Sequence, residues 1–381
     1  MDERQPSLKL LSEPEDYDIK TGIEKLSNLE WKKGSFEKQS WGHSMHRIGP
    51  YVGRIKPAFA HFLIKYLTKK NDLILDPFAG VGTICFESIV QSRNSIGCDI
   101  NPYALAIAKA KANVTSKISD YIKIINNIKI QTDSISLSNI PSWVKEYYNQ
   151  ETLKEILFCL NHFKKSKNFF LYGNLVAISQ GHRVGHLSKP CAWTLPYKPR
   201  PDDPGEYREV KPRLIEKIKR TLKDDYFFDF SMRVIKKDSR NLSFAENSID
   251  AVISSPPYFN TLDYINSHRL RLAIIGVFEK KETTRLKKLT IQSKTSYLND
   301  MNKVIKSIER VLKPGGICCF ILGDLFEGKK VIITANVIKE IFMKYNFTYL
   351  AMIEDKIPVN KSVQKKTNKV KSDRILIVQK K

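Results

Sequence analysis

Short, continuously apolar runs alternate with stretches of helical periodicity over much of the chain. DLILD (72–76), SIGCD (95–99), MRVIKKD (232–238), SIDAVISS (248–255) and GICCFILGD (316–324) each read as a buried strand, and four of the five end on or just before an acid. Between them lie helical segments. PAFAHFLIKYL (57–67) has Pro57 in its first turn, and a second helix starts within the glycine turn FAGVGT and runs through ICFESIVQ. In NPYALAIAKAKAN, Asn101 is placed to cap, Pro102 suits the first helical position, and the alanines favour continuation. Met301, Val304, Ile305, Ile308, Val311 and Leu312 share one face of a later helix, which KPGG breaks before the next strand. A further helix (VIITANVIKEIFMKY) precedes two closing strands, TYLAMIE and RILIVQ, joined by a lysine-studded segment that suggests a hairpin. This order predicts an α/β fold: a seven-stranded, doubly wound, mostly parallel Rossmann-like sheet with a C-terminal antiparallel hairpin. The strand and helix rhythm stops over 114–231, so the expected organisation is an irregular arm (1–50), a first half (51–113), an insertion (114–231) and a second half (232–381).

Composition changes the picture in two ways. With 42% apolar and 10% aromatic residues, the 381-residue chain can build a large core, which excludes a disordered protein. Lys and Arg number 64 against 40 Asp and Glu, and a net charge of +24 points to a polyanionic partner, nucleic acid first. The competing explanation is lysine enrichment from an AT-rich genome. No apolar stretch approaches the roughly 18 residues of a membrane span, and the polar, acidic N-terminus has no signal-like core, so a soluble, unsecreted, cytoplasmic protein is expected. The six cysteines show no CxxC spacing and read as reduced, mostly buried thiols; no metal site is expected.

A doubly wound sheet holds its ligand at the carboxyl ends of its strands, where Asp76, Asp99 and Asp238 fall. In DPFAGVGT (76–83), Gly80 and Gly82 permit a sharp turn and close approach of a ligand, with a helix N-terminus behind them for an anionic group. No Lys-Ser/Thr pair follows the glycines, which excludes a phosphate loop. Cys85 and Phe86 occupy the region of the third glycine of a dinucleotide fingerprint. A nucleoside bearing a carboxylate remains, and S-adenosylmethionine satisfies the pattern: carboxylate over the helix start, ribose hydroxyls on Asp99, adenine near Asp238. The candidate cofactor contacts in the turn are Asp76, Pro77, Phe78, Gly80, Gly82 and Thr83. Asp99, Ile100 and Asp238 complete the set.

SSPPY (254–258) follows the strand DAVIS directly, and its two prolines make a rigid extended turn. DPFAGVGT followed by SSPPY resembles the S-adenosylmethionine-dependent DNA amino-methyltransferases, which act on cytosine N4 or adenine N6. The resemblance spans the predicted sheet, includes LKPGG, and places the equivalent of the family's cofactor-contacting helix around 56–59. It implies methyl transfer to an exocyclic amine of a base flipped from the duplex. The Ser255 hydroxyl and Pro256 carbonyl would accept the amine's N–H bonds, Pro257 would stiffen the turn, and Tyr258 would stack on the base. Asn260, Asp263 and Tyr264 are candidate pocket walls. Serine in the first position resembles the cytosine-N4 branch, with adenine N6 as the alternative. Cytosine-C5 chemistry would need a Pro-Cys nucleophile, and Pro190-Cys191 lies in the insertion, away from any strand end.

Within the insertion, His182, Arg183, Lys189, Lys198 and Arg200 are interleaved with Trp193 and Tyr197. Cations for phosphates and aromatics for stacking make this the candidate DNA-binding region. The lysines at 361, 365, 366, 369 and 371 are a second candidate phosphate contact. The family implies a bacterial restriction-modification setting, with double-stranded DNA as partner and a cognate restriction endonuclease acting separately. Two other readings are an RNA amino-methyltransferase and a non-catalytic DNA-binding subunit. The first would append an RNA-binding module, and the second would have lost the turn or the glycines.

Overall fold

The structure, a computed structural model, describes residues 16–29, 41–192, 194, 205–258, 262–291, 293, 296–327, 330–356 and 372–381. The apolar runs form β1 (Leu73–Asp76), β2 (Asn94–Asp99), β3 (Met232–Lys236), β4 (Ile249–Ser254) and β5 (Leu312–Gly323). A small separate hairpin, β6 (Leu325–Glu327) and β7 (Lys330–Ile332), occupies the start of what the sequence reads as helix. The chain then ends on β8 (Phe347–Lys356) and β9 (Ser372–Lys380). The sheet order is β3-β2-β1-β4-β5-β9-β8, with the first five strands parallel. The C-terminal hairpin is present, and β9 is its inner strand, antiparallel to both β5 and β8.

Both faces of the sheet are covered, which is why its strands are apolar at successive positions. Ile74, Ile253, Cys319 and Ile377 face α1 (Ile19–Ser27) and α2 (Pro57–Leu67). Their neighbours Leu75, Val252, Cys318 and Val378 share the opposite core with α13 (Tyr297–Val311) and α14 (Thr334–Phe342). Those two are the helices read from the periodicity after residue 300, and Met301, Val304, Ile305 and Ile308 are fully buried. Each such side chain stabilises the fold by about 1.5–3 kcal/mol.

Helix α1 differs from the expected irregular arm. Asp18 caps it by accepting from the Lys20 and Thr21 amides, but only Gly22 and Leu26 are buried, so two turns show no periodicity in sequence. After α3 (Thr83–Val90) and α4 (Pro102–Ala112), the insertion is helical: α5 (Ile118–Asn127), α6 (Ser142–Lys145), α7 (Gln150–Lys165), α8 (Phe169–Ile178) and α9 (Val210–Thr221). It shares one continuous core with α4. Gly173 of α8 lies so close to α4 that a Cβ there would sit 2.5 Å from the Ala106 carbonyl oxygen. The insertion is therefore built onto the layer that covers the sheet. Three short helices, α10 (Tyr264–Ser267), α11 (Arg269–Ile274) and α12 (Lys280–Leu289), follow the double-proline turn.

Candidate active site

The strand order reverses between β1 and β4, and a cleft opens beyond the carboxyl ends of these two strands. Asp76 ends β1 and Ser254 ends β4. The Ser254 hydroxyl donates to Asp76 Oδ1 at 2.6 Å, and the Phe78 amide donates to the same oxygen at 3.1 Å. Burial pushes the Asp76 carboxyl up to about 7, against the pull of these two hydrogen bonds. Asp76 thus ties the glycine turn to the double-proline turn. Asp76, Pro77, Phe78, Gly80 and Thr83 line the cleft, as do Asp99, Ile100, Asp238, Ser255 and Pro257, so the two distant bends face each other.

On the glycine side, Gly80 and Gly82 both have left-handed backbone (φ +51° and +69°). Gly82 is the N-cap of α3 and lies behind the cleft wall, where a Cβ would stand 2.7 Å from Met232 Cε. No side chain caps α3, and the buried Thr83 hydroxyl, facing the cleft, has no partner among the described residues. The Gly80 amide donates to Asp99 Oδ2 at 2.8 Å and the Asn101 amide to Oδ1 at 2.7 Å. Both bonds favour the charged form of Asp99, but burial outweighs them and raises its pKa. An uncapped helix start, an unpartnered hydroxyl and a fixed carboxylate suit an amino acid carboxylate and a ribose diol, so the residues fit S-adenosylmethionine. Asp238 also lines the cleft, two residues past the end of β3, but it is gripped by Arg240 at 2.6 and 3.0 Å. Burial raises its pKa, and the Arg240 bonds more than reverse this, leaving it below the ordinary value. The neighbouring Ser239 hydroxyl bonds the Pro77 carbonyl.

The sequence reading did not identify Tyr51, Gly53, Arg54 and Ile55, which line the cleft just before α2. Tyr51 stacks on His268 (5.0 Å between centroids, 6° between planes) and on Tyr264 (5.9 Å, 21°), and its ring lies 3.3 Å from where a Gly80 Cβ would be. The aromatic and the glycine of PYVGRIKP, next to a predicted helix start, were the available signal.

On the double-proline side, Pro256 is buried between Ser255 and Pro257. Tyr258 does not line the cleft. Its ring packs against Gly323 and its hydroxyl donates to Asp373 Oδ1 at 2.9 Å, so the expected free stacking face is fixed against the sheet. Tyr264 is in the cleft wall. Asp263 is not, because it caps α10 through the Asn266 amide (2.8 Å) and pairs with Lys287 (3.0 Å).

In the insertion, His182 and Arg183 are exposed on a loop whose tip, Val184, is 82% exposed. Arginines hold this loop by its carbonyls: Arg271 on Gln180 (2.8 Å), Arg213 on Val184 (3.2 Å), and Arg208 on His186 and Ser188 (3.0 and 2.9 Å). Lys189 corrects the expectation of a phosphate contact, since it is 8% exposed and its aliphatic chain packs against Gly205. Cys191 is fully buried and burial raises its thiol pKa, the opposite of an activated nucleophile. Trp193, Tyr197, Lys198, Arg200, Asn260 and the 361–371 lysines lie outside the described residues.

Behind the glycine turn, Glu87 of α3 takes hydrogen bonds from His46 Nε2 (2.8 Å) and His61 Nδ1 (2.7 Å) in a fully covered pocket. Burial works to raise the Glu87 pKa, but the two imidazoles outweigh it and bring it down to about 2. Burial lowers His46 to about 4 despite its bond to Glu87. His46 is therefore neutral, and unfolded chains take up its proton first as pH falls below the ordinary 6.5. Stability should fall on acidification from there to about pH 4, by roughly 2–3 kcal/mol, and further through Glu87 from 4.5 to about 2. Urea midpoints measured from pH 7 to 4 check this; His46→Gln, which keeps an N–H donor, should flatten that decline.

The fold and cleft define a doubly wound protein in which a glycine turn suited to a nucleoside cofactor faces a rigid Ser-Pro-Pro-Tyr bend. Residues 11–110 match the N6 and N4 methyltransferase family described as DNA methylase. Type II methyltransferase M.MvaI of Kocuria varians is 25% identical over 405 aligned positions, covering 85% of this chain and 87% of that protein. M.BsoBI of Geobacillus stearothermophilus is 27% identical over 276 (60% and 53%), and M.MjaII of Methanocaldococcus jannaschii is 34% identical over 112 (26% and 21%). The chain thus spans about half the length of M.BsoBI and a fifth of M.MjaII. Over residues 11–110 it is similar to the N6 and N4 DNA methylase family, and over most of its length to type II methyltransferases. Among the described residues no helix is long and apolar enough to cross a membrane.

Proposed function

We propose that this protein transfers a methyl group from S-adenosylmethionine to the N4 amine of a cytosine flipped out of double-stranded DNA. The observation that carries the reading is a single cleft lined by Thr83 and Asp99 on one side and by Ser255 and Pro257 on the other. Serine ahead of the two prolines favours cytosine, and adenine N6, which presents the same pair of N–H donors, is the second choice. The match to type II methyltransferases and the net charge of +24 support DNA as the substrate. On the same reading, a restriction endonuclease cutting the same sequence is the partner, and it acts separately.

S-adenosylmethionine, when bound, supplies an electrophilic methyl on a sulfonium. The protein's part is positional. The lone pair of an exocyclic amine is delocalised into the ring, so the amine is a weak nucleophile. The Ser255 hydroxyl and Pro256 carbonyl accept its two N–H bonds and draw the nitrogen toward tetrahedral geometry, which frees the lone pair. Holding the reacting atoms about 3 Å apart and in line supplies several kcal/mol of the acceleration. Extruding the base costs a few kcal/mol, offset by contacts in the pocket. The exposed loop bearing His182 and Arg183, held rigid through its carbonyls, is the proposed contact with the duplex.

The test is to incubate the purified protein with methyl-labelled S-adenosylmethionine and either DNA or RNA, then digest to nucleosides. Label in N4-methyl-2′-deoxycytidine from DNA is expected. Label in N6-methyl-2′-deoxyadenosine would move the target to adenine, and label at C5, in RNA alone or nowhere would refute the reading.

A further inference from the structure

Helix α12 carries five cations and one acid in its ten residues, and the cleft chemistry uses none of them. Its buried residue, Leu286, belongs to the core shared with Ile265 of α10. Lys281, Arg285 and Lys288 follow one another at spacings of four and three, so they line one face, with Lys280 and Lys287 beside them and Leu286 on the far side. All five cations are exposed. Lys287 pairs with Asp263 at 3.0 Å, whereas the side chains of Lys280, Lys281, Arg285 and Lys288 meet no acid and no acceptor among the described residues. Helix stability does not account for this face. Lys280 and Lys281 stand in the first turn, where the helix dipole disfavours cations, and like charges four apart, as in Lys281 and Arg285, repel.

The helix ends at the rim of the cleft and is held there from both walls. Its last residue, Leu289, lines the cleft together with Thr290 and Ile291. The Leu289 carbonyl accepts from Arg240 at 3.4 Å, and Arg240 is itself locked to Asp238 and Asp300 at 2.6 and 3.1 Å. Lys287, through Asp263, ties the same end to the segment that follows the Ser-Pro-Pro-Tyr bend. From Lys281 to Lys288 the helix rises about 10 Å, the length of about three nucleotide steps along one strand of a duplex.

We propose that the Lys281, Arg285 and Lys288 face of α12 binds the phosphate backbone of duplex DNA next to the base presented to the cleft. The proposal rests on the DNA-methylation reading above. A base turned into the cleft brings its flanking phosphates to the rim, where three cations in a row neutralise about three of them. Such contacts fix the register and orientation of the duplex and carry no sequence information, so α12 holds the DNA while other elements read it.

The test compares two triple variants of the full chain that lose the same charge. One is Lys281→Ala, Arg285→Ala, Lys288→Ala. The other removes Lys69, Lys70 and Lys344, exposed lysines at the opposite edge of the sheet, where the parallel strands begin. Binding of a fluorescent mixed-sequence duplex of about 30 base pairs is followed by anisotropy between about 50 and 200 mM salt. The α12 variant should bind at least about tenfold more weakly at low salt, with the slope of log affinity against log salt shallower by about two to three. The control variant should stay near wild type, and calorimetry should give both variants the wild-type affinity for S-adenosylmethionine within about twofold, as expected for residues away from the cofactor wall. A second readout localises the contact. The six native cysteines are buried, so Lys288→Cys takes a photoactivatable aryl azide selectively and should crosslink to the duplex, whereas Lys69→Cys should not. Equal losses in the two triple variants, no loss in the α12 variant, or no crosslink from position 288 would overturn the proposal. So would lost binding to phosphatidylserine vesicles with duplex binding intact, which would assign the face to a lipid surface. A wild type that binds the duplex through α12 yet methylates no DNA would bear out the contact and sink the methyl-transfer reading; one that binds no duplex would sink both.

Discussion

Ser255→Ala should bind S-adenosylmethionine as wild type does, within about twofold, and lose about 10²–10³-fold in the rate of transfer. The hydroxyl lies across the cleft from the cofactor wall, so its loss leaves Thr83, Gly80 and Asp99 in place. What disappears is the acceptor that draws the amine's hydrogen aside, an interaction that matters most as the nitrogen becomes tetrahedral. A contact that strengthens on the way to the transition state affects kcat more than KM. Fold should survive, because the neighbouring Ser254 makes the structural bond to Asp76. Single-turnover rates with labelled cofactor, alongside calorimetry, measure both numbers, and unchanged turnover would contradict the role given to Ser255.

Asp99→Ala should show the reverse pattern, with cofactor affinity falling by about 10–100-fold as charge-assisted hydrogen bonds worth about 1.5–3 kcal/mol are lost. Two losses combine. The carboxylate that would take the ribose hydroxyls is gone, and the Gly80 and Asn101 amides lose the acceptor that fixes the turn. Asp99→Asn, which keeps one oxygen for an amide, should fall between alanine and wild type. At saturating cofactor the alanine variant should recover most of its transfer rate. Titration of S-adenosylmethionine into each variant gives the affinities; a rate that stays low at saturation would assign Asp99 to the chemistry instead.

Much of this arrangement could be read from the sequence because strand ends and turns carry local signatures. DPFAGVGT, the capped start at Asn101 and the strand-ending acids marked one wall of the cleft, and SSPPY marked the opposite one. Asp76 could not be resolved this way: an acid at a strand end looks ligand-facing, and only the neighbouring strand shows that it turns inward to Ser254. Tyr51 was missed because it acts from irregular chain, through a stack with His268 and Tyr264 that no periodicity encodes. Lys189 shows the limit of reading charge from composition, since a lysine among arginines and prolines can still be packed away. The closing hairpin was legible from two apolar runs, but which of its strands meets β5 depends on long-range pairing.

That pairing governs how the molecule is assembled. β9 follows β8 in the chain, yet it takes the inner place between β5 and β8, so the ribosome releases the inner strand after its outer neighbour. Until β9 is threaded in, β5 presents an unpaired apolar border from Ile317 to Leu322, the kind of open template on which nascent chains clump together. Closing that border also delivers Asp373 to Tyr258, so the step that protects a newborn chain from its neighbours is the step that anchors the Ser-Pro-Pro-Tyr bend.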